Sequence, residues 1–194
     1  TVWRQADRYG VPRLAFVNKM DRNGADFFRV LEMLSERLAS NFVPIQLPIG
    51  AGETFAGLID LIEMKSVTYE DSSQGVKFHE TEIPEDLMEH ALHYREKMLE
   101  AVADFDDHLL KKFVDGEEIT PDDIVSALRR ATIALKAVPV TCGSAFRFKG
   151  GQRLSRLFFL YDFPYHSHHL CRPGEGCSPK RNSATAESKT EIDS

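Results

Sequence analysis

The chain has 194 residues, of which 42% are hydrophobic and 28% charged, and its formal net charge at pH 7 is −6. This length is enough to bury a core without disulfides or a structural metal, and three cysteines, an odd number, favour a reducing compartment, here the cytoplasm. No apolar run approaches the roughly 18 residues of a membrane span, and the acidic balance argues against nucleic-acid binding. We therefore expect neither a membrane partner nor a sequence-specific nucleic-acid partner.

The first 40 residues alternate between helical and strand patterns. The sequence predicts a short helix over Val2–Arg8, a buried strand over Pro12–Val17 and an amphipathic helix over Ala25–Ser40. Alternating helices and strands are typical of α/β domains, and short strands that are apolar throughout are typical of parallel sheets. We therefore predict an α/β fold with a parallel sheet and helices.

The next segment is rich in strand-forming residues. We predict one strand over Val43–Ile49 and one over Leu58–Tyr69, because both stretches are rich in Ile, Leu and Val and have Pro and Gly nearby. A polar turn at Glu70–Gly75 and a short stretch over Val76–Ile83 complete a predicted hairpin.

Helical patterns follow the predicted hairpin. Pro84 stands in the first turn of a predicted helix whose apolar face continues to Phe105. Thr120, Pro121 and Asp123 form a capping signal that predicts the start of a second helix. An acidic cluster between the two helices is interpreted as a solvated helix end rather than a cation site: Asp104, Asp106 and Asp107.

The sequence Asn18-Lys19-Met20-Asp21 directly follows the first predicted strand. Asp21 is suited to accept two hydrogen bonds from the N1–H and the exocyclic amine of guanine, a donor pair that adenine lacks. Asn18 would bridge the base N7 and the neighbouring loop, and Lys19 would lay its alkyl stem across the base. The carboxyl end of a parallel strand is where α/β proteins bind ligands, so this loop is a candidate guanine-binding site.

A second loop of the same kind follows the predicted strand Val138–Cys142. Ser144 and Ala145 stand there, and a Ser-Ala backbone in guanine-nucleotide proteins supplies a main-chain N–H to the guanine O6. Either loop alone also fits a polar connection that binds no ligand. Two such loops after two strands, in this order, favour guanine binding.

Several segments resemble bacterial-type translation elongation factor G, and the resemblance runs almost continuously from Thr1 to about Gln152. The resembling segments are Phe16–Arg22, Gly24–Phe27, Val43–Gly50, Arg95–Met98, Cys142–Phe146 and Lys149–Gly150.

This resemblance implies the distal half of a P-loop GTPase domain, formed by residues 1–40 and 138–152, with an inserted α+β subdomain at residues 41–137. It implies a ribosome-dependent GTPase that drives translocation of transfer and messenger RNA. The implied ligands are GTP and, in the full-length parent, magnesium. The implied partners are a guanine nucleotide and the ribosome, including its stalk protein, which the inserted subdomain is expected to contact.

The phosphate-binding part of that family pattern does not occur in this sequence. A P-loop requires G-x-x-x-x-G-K-[ST], and the sequence has no Gly-Lys dipeptide. The switch II segment Asp-Thr-Pro-Gly-His is also missing, and the switch I threonine is expected to lie before Thr1. We therefore expect a fragment that reads the base through Asn18, Lys19, Asp21, Ser144 and Ala145, with no catalytic residues and no metal ligands.

Residues 153–194 do not resemble the family, and we predict a disordered tail of aberrant, frameshifted or mis-spliced origin. Two functional alternatives remain for the chain. It is a GTP-binding piece of an elongation factor, or it is a ribosome-interaction module or inactive fragment. Release factor three and the ribosomal protection proteins are the alternative families.

Overall fold

The computed structural model describes residues 2–70 and 77–151. The predicted tail at residues 153–194 and most of the predicted turn Glu70–Gly75 lie outside this part of the chain. The helices of the described part are α1 (Val2–Arg8), α2 (Phe27–Leu38), α3 (Glu85–Ala103), α4 (Asp107–Asp115) and α5 (Pro121–Ile133). Its strands are β1 (Ala15–Val17), β2 (Phe42–Pro44), β3 (Gln46–Ile49), β4 (Gly57–Asp60), β5 (Lys65–Tyr69), β6 (Phe78–Thr81) and β7 (Val138–Cys142).

Three strands form a parallel sheet in the order β1-β7-β2. The middle strand β7 is buried over all five residues, because it has a neighbour on both sides and is apolar at most positions. Val17 and Cys142, the last residues of β1 and β7, are paired in register. The predicted α/β class with a parallel sheet and helices is confirmed, and the loops that follow β1 and β7 leave the same edge of the sheet.

A second, antiparallel sheet has the order β3-β4-β5-β6. The prediction of one strand over Val43–Ile49 is wrong, since this stretch is divided between the two sheets. The division is at Ile45, whose N–H donates to Val140 O (3.0 Å) of the parallel sheet and whose carbonyl accepts from Leu61 N (3.1 Å) beside the antiparallel sheet. The side chain of Ile45 is 1% exposed, so the two sheets share one core at this residue.

The stretch Leu58–Tyr69 is a hairpin of β4 and β5 rather than the single predicted strand. Its turn depends on Asp60, whose Oδ1 accepts from the N–H groups of Ile62 (3.0 Å) and Glu63 (3.2 Å). Arg95 of α3 covers the turn and donates through Nη1 to the carbonyls of Leu61 and Ile62. A carboxylate makes the turn here, so the usual Gly and Pro signals are missing.

Helix α4 is absent from the sequence prediction, which placed a solvated helix end at this position. Helix α3 ends at Ala103, and Asp106 begins α4 by accepting from the N–H groups of His108 (3.1 Å) and Leu109 (3.0 Å). Asp106 is 7% exposed and also accepts from Arg130 of α5, with 2.5 Å between Nε and Oδ2. Asp106 therefore caps one helix and links it to another.

Replacing Asp106 with alanine is expected to lower the free energy of unfolding by about 1–2 kcal/mol, because α4 loses its cap and its link to Arg130. Burial opposes ionisation of Asp106, but hydrogen bonds from Leu109 and Arg130 outweigh it and hold its pKa below the usual value. The stabilisation is therefore present above about pH 4 and is lost as the pH falls through the folded-state pKa.

Urea denaturation at pH 7 and at about pH 3 tests this expectation. The matched control is Asp107→Ala, since Asp107 is exposed in the first turn of α4, and its cost is expected to be about 0.5 kcal/mol or less. Equal costs of the two substitutions at pH 7 would contradict the role of Asp106.

None of the helices in the described residues combines the length and the apolar character that a membrane crossing needs.

Candidate functional site

Two loops lie side by side at the carboxyl edge of the parallel sheet. We call residues 18–24, which follow β1, the first loop and residues 143–150, which follow β7, the second loop. Gly143 N donates to Val17 O (3.0 Å), and Met20 N donates to Gly143 O (3.1 Å). The structure thus brings together two segments that are separate candidates in the sequence.

Asn18 joins the two loops through its side chain. Its Oδ1 accepts from Lys19 N (2.8 Å) and from Ala145 N (2.9 Å), which is 127 residues away in sequence. Lys19 has a left-handed φ of 65°, which turns the chain sharply after Asn18. The N–H of Ala145, part of the Ser-Ala backbone predicted to contact guanine O6, is therefore hydrogen-bonded to Asn18 in this structure.

Asp21 presents a charged carboxylate that is largely enclosed by protein. Its side chain is 9% exposed, and Oδ1 is buried without a hydrogen-bond partner among the described residues. The Ser144 hydroxyl contributes most to holding the pKa of Asp21 below its usual value. The positive charge of Arg147 lowers this pKa further, while burial of the carboxylate opposes the shift. Arg147 Nε lies 3.8 Å from Oδ2. The carboxylate is therefore ionised at neutral pH, and one of its buried oxygens lacks a hydrogen-bond partner among the described residues.

The other two predicted site residues differ in exposure. Lys19 is exposed, so its side chain is free of the core. Ser144 is fully buried, and its backbone pairs with Lys149 in both directions (2.9 and 3.0 Å), which closes the second loop. The Ser144 hydroxyl oxygen accepts from Arg147 N (3.2 Å). Ser144 thereby fixes the shape of the loop that carries Ala145.

Arg147 and Lys149 have no role in the expectations drawn from the sequence. Lys149 is 3% exposed, and its Nζ donates to Phe55 O at 3.2 Å. No local pattern predicts this contact, because Phe55 lies 94 residues away in sequence and belongs to the antiparallel-sheet region. Phe146, next to Ala145, is 86% exposed at the tip of the second loop.

Over residues 2–70 and 77–151, no three His, Cys, Asp or Glu side chains are grouped so that they could hold a metal ion. The arrangement offers hydrogen-bond acceptors and donors at a sheet edge, which is chemistry for binding a planar polar group.

Comparisons with known proteins agree with this geometry. The sequence profile of the family described as "Elongation factor Tu GTP binding domain" matches residues 1–162. A crystal structure of a protein from Thermus thermophilus is similar to this chain, with 33% sequence identity and a TM-score of 0.71. The match covers 82% of this chain and 23% of that protein, so the chain spans about a quarter of the relative's length.

Proposed function

This chain belongs to the elongation factor Tu GTP-binding domain family, and from that membership we propose that its first and second loops read the guanine base of GTP or GDP. The observation that carries the proposal is the buried Oδ1 of Asp21, an ionised acceptor without a hydrogen-bond partner among the described residues. Leaving such an atom unpaired costs free energy, so the site favours a ligand that brings a donor to it.

Each site residue has a distinct role in the proposed complex. Asp21 accepts from the N1–H and the exocyclic amine of guanine, while adenine offers no matching donor pair. Asn18 keeps the second loop in place through Oδ1 and has its amide NH₂ available for the base N7. Lys19 covers one face of the base with its alkyl stem.

Ala145 is proposed to donate its N–H to guanine O6, and Ser144 to hold that N–H in position. Because this N–H donates to Asn18 Oδ1 in the ligand-free structure, base binding requires that it be shared between the two acceptors or transferred to O6. Adenine carries an amine at the position of O6, which cannot accept this hydrogen bond.

We propose further that the chain is a fragment of elongation factor G, a ribosomal translocase of the cytoplasm. The segments that resemble this family support the proposal. The domain limits at residues 40/41 and 137/138 and contact of the inserted subdomain with the ribosomal stalk stay predictions. Magnesium is proposed only for the full-length parent, because the phosphate-binding sequence patterns do not occur in this chain.

The chain's own contribution is proposed to be base binding without hydrolysis, since its sequence holds no Gly-Lys dipeptide with which to form a P-loop. Phosphate release from GTP, measured with purified chain and ribosomes, tests this part. No ribosome-stimulated release is expected, and a stimulated rate would overturn the proposal of an inactive fragment.

Titration of the ¹⁵N-labelled chain with GDP and with ADP tests base reading directly. We expect GDP to shift the amide resonances of Lys19, Ala145 and Phe146 and to bind about tenfold or more tightly than ADP, which is the usual discrimination by one bidentate pair. Amides of α4, which packs against α3 and α5 and ends 28 residues before the second loop, are the internal control. Equal shifts with the two nucleotides would show that these loops do not read the base.

A further inference from the structure

A third loop contacts both base-reading loops. We call residues 50–56, which connect β3 to β4 of the antiparallel sheet, the bracing loop. Gly52 N donates to Met20 O (2.8 Å) of the first loop. Lys149 Nζ of the second loop donates to Phe55 O (3.2 Å) of the bracing loop. The antiparallel sheet is thus connected directly to both candidate base-reading loops.

These hydrogen bonds close a ring through the three loops. Met20 N donates to Gly143 O (3.1 Å), and the adjoining Ser144 pairs with Lys149 through both backbone groups. Lys149 reaches the bracing loop at Phe55, and Phe55 N donates to Gly52 O (3.2 Å). The ring returns from Gly52 to Met20. A displacement at any of these contacts is therefore passed on to the loops that carry Asp21 and Ala145.

Lys149 is an unusual residue for this place in the ring. At 3% exposure its ammonium group is out of solvent, and burial of a charge is costly unless hydrogen bonds compensate it. The ammonium lies 6.0 Å from the centre of the Phe55 ring as well as 3.2 Å from the Phe55 carbonyl. An apolar side chain would fill the space but could not hold the bracing loop by a hydrogen bond.

The bracing loop also lies close to the first loop through Gly52. Gly52 has a φ of +63°, which side chains other than Gly rarely adopt. A Cβ at this position would lie 3.4 Å from Asn23 Oδ1 and 3.5 Å from Arg22 O. Both distances are ordinary van der Waals contacts, so an alanine at position 52 strains the ring through its backbone conformation rather than through a clash.

We infer that Lys149 is a positioning residue for guanine reading and that the bracing loop couples the antiparallel sheet to the base. This inference rests on the proposed function. Lys149 touches the bracing loop rather than the base, and it holds Ser144 and Ala145 in the shape that the base requires. Because coupling between two sites is reciprocal, guanine binding must also change the conformation or stability of the bracing loop.

The test compares Lys149→Met with Lys111→Met, an exposed lysine of α4, by titration of each ¹⁵N-labelled chain with GDP. Methionine keeps most of the buried volume, so the fold is expected to persist. Loss of one hydrogen bond from the ring is expected to weaken GDP binding about fivefold to tenfold, with no change in Lys111→Met. In the unchanged chain the amide resonance of Phe55 is expected to shift as GDP binds, and in Lys149→Met this shift is expected to be lost.

Unchanged GDP affinity in a folded Lys149→Met variant would overturn the inference while leaving base reading intact. If Lys149→Met gives no folded spectrum, Gly52→Ala replaces it, and a similar loss of affinity is expected there. Unchanged affinity in folded Gly52→Ala would then overturn the inference. If GDP binds no better than ADP to the unchanged chain, both base reading and this inference fail.

Discussion

Replacing Asp21 with asparagine is expected to lower the preference for GDP over xanthosine diphosphate by about 100-fold. The substitution removes a charge-assisted bidentate contact with guanine and creates a matching contact with xanthine. Guanine has an amine at C2, which donates a hydrogen bond to the carboxylate, whereas xanthine has a carbonyl there. The asparagine NH₂ donates to that carbonyl and faces the guanine amine with donor against donor. Competition of the two nucleotides for the labelled chain measures the change.

The control for this change is Asp26→Asn. Asp26 is exposed and accepts from Arg29 N (3.0 Å) at the start of α2, and asparagine caps a helix about as well as aspartate. We expect no change in base preference from this variant. Unchanged preference for guanine in Asp21→Asn would show that Asp21 does not read the base.

Replacing Gly143 with alanine is expected to damage both stability and base binding. A Cβ there would lie 2.3 Å from Lys149 O and 2.9 Å from the Phe16 ring, so the backbone of the second loop must move. The expected cost is about 1–3 kcal/mol of unfolding free energy, as for other overpacked sites. Because Ser144 and Lys149 pair directly beside this glycine, GDP affinity is expected to fall about tenfold or more.

Gly151→Ala is the matched control, since a Cβ at position 151 meets nothing within 4 Å. Urea denaturation and GDP titration of the two variants separate the steric effect from the general effect of removing a glycine. A folded Gly143→Ala variant with unchanged stability and affinity would contradict the close approach of Lys149 to this position.

Local patterns predicted those parts of the fold that local chemistry decides. The N-terminal signal of Thr120, Pro121 and Asp123 is present in the structure as a capping box at the start of α5, with Thr120 Oγ1 accepting from Asp123 N at 3.2 Å. The helix predicted over Ala25–Ser40 agrees with α2 to within two residues at each end. In both cases the hydrogen bonds and the apolar face lie within one segment, so the sequence contains them.

The sequence did not predict the features that depend on distant partners. Nothing in Val43–Ile49 shows that Val43 pairs with β7 while Leu47 pairs with β4, because both are buried residues in an apolar run. The turn at Asp60 interrupts the single strand predicted over Leu58–Tyr69, and it is made by a side chain without the Gly or Pro that usually marks a turn. The hydrogen bond of Lys149 depends on Phe55, which lies 94 residues away in sequence.

The sequence proposes the residues of the candidate site, whose binding role stays a prediction, but it does not give their arrangement. The spacing of Asn18, Lys19 and Asp21 indicates guanine, and the structure places Ala145 within hydrogen-bond distance of Asn18. That the Ala145 N–H is already engaged by Asn18, and that Arg147 lies near Asp21, follow only from the packing of the two loops. Geometry between loops is a tertiary property, so the sequence pattern does not contain it.

The position of β7 in the middle of the parallel sheet has a consequence for how the chain folds during synthesis. Both β1 and β2 pair with β7, and contacts such as Asn18 to Ala145 span 127 residues. Such long loops are entropically costly to close and slow to form. A ribosome adds about 5–20 residues per second, so β1 must wait several seconds for its partner. The antiparallel sheet can therefore form first, and the first and second loops come together only after β7 has been synthesised.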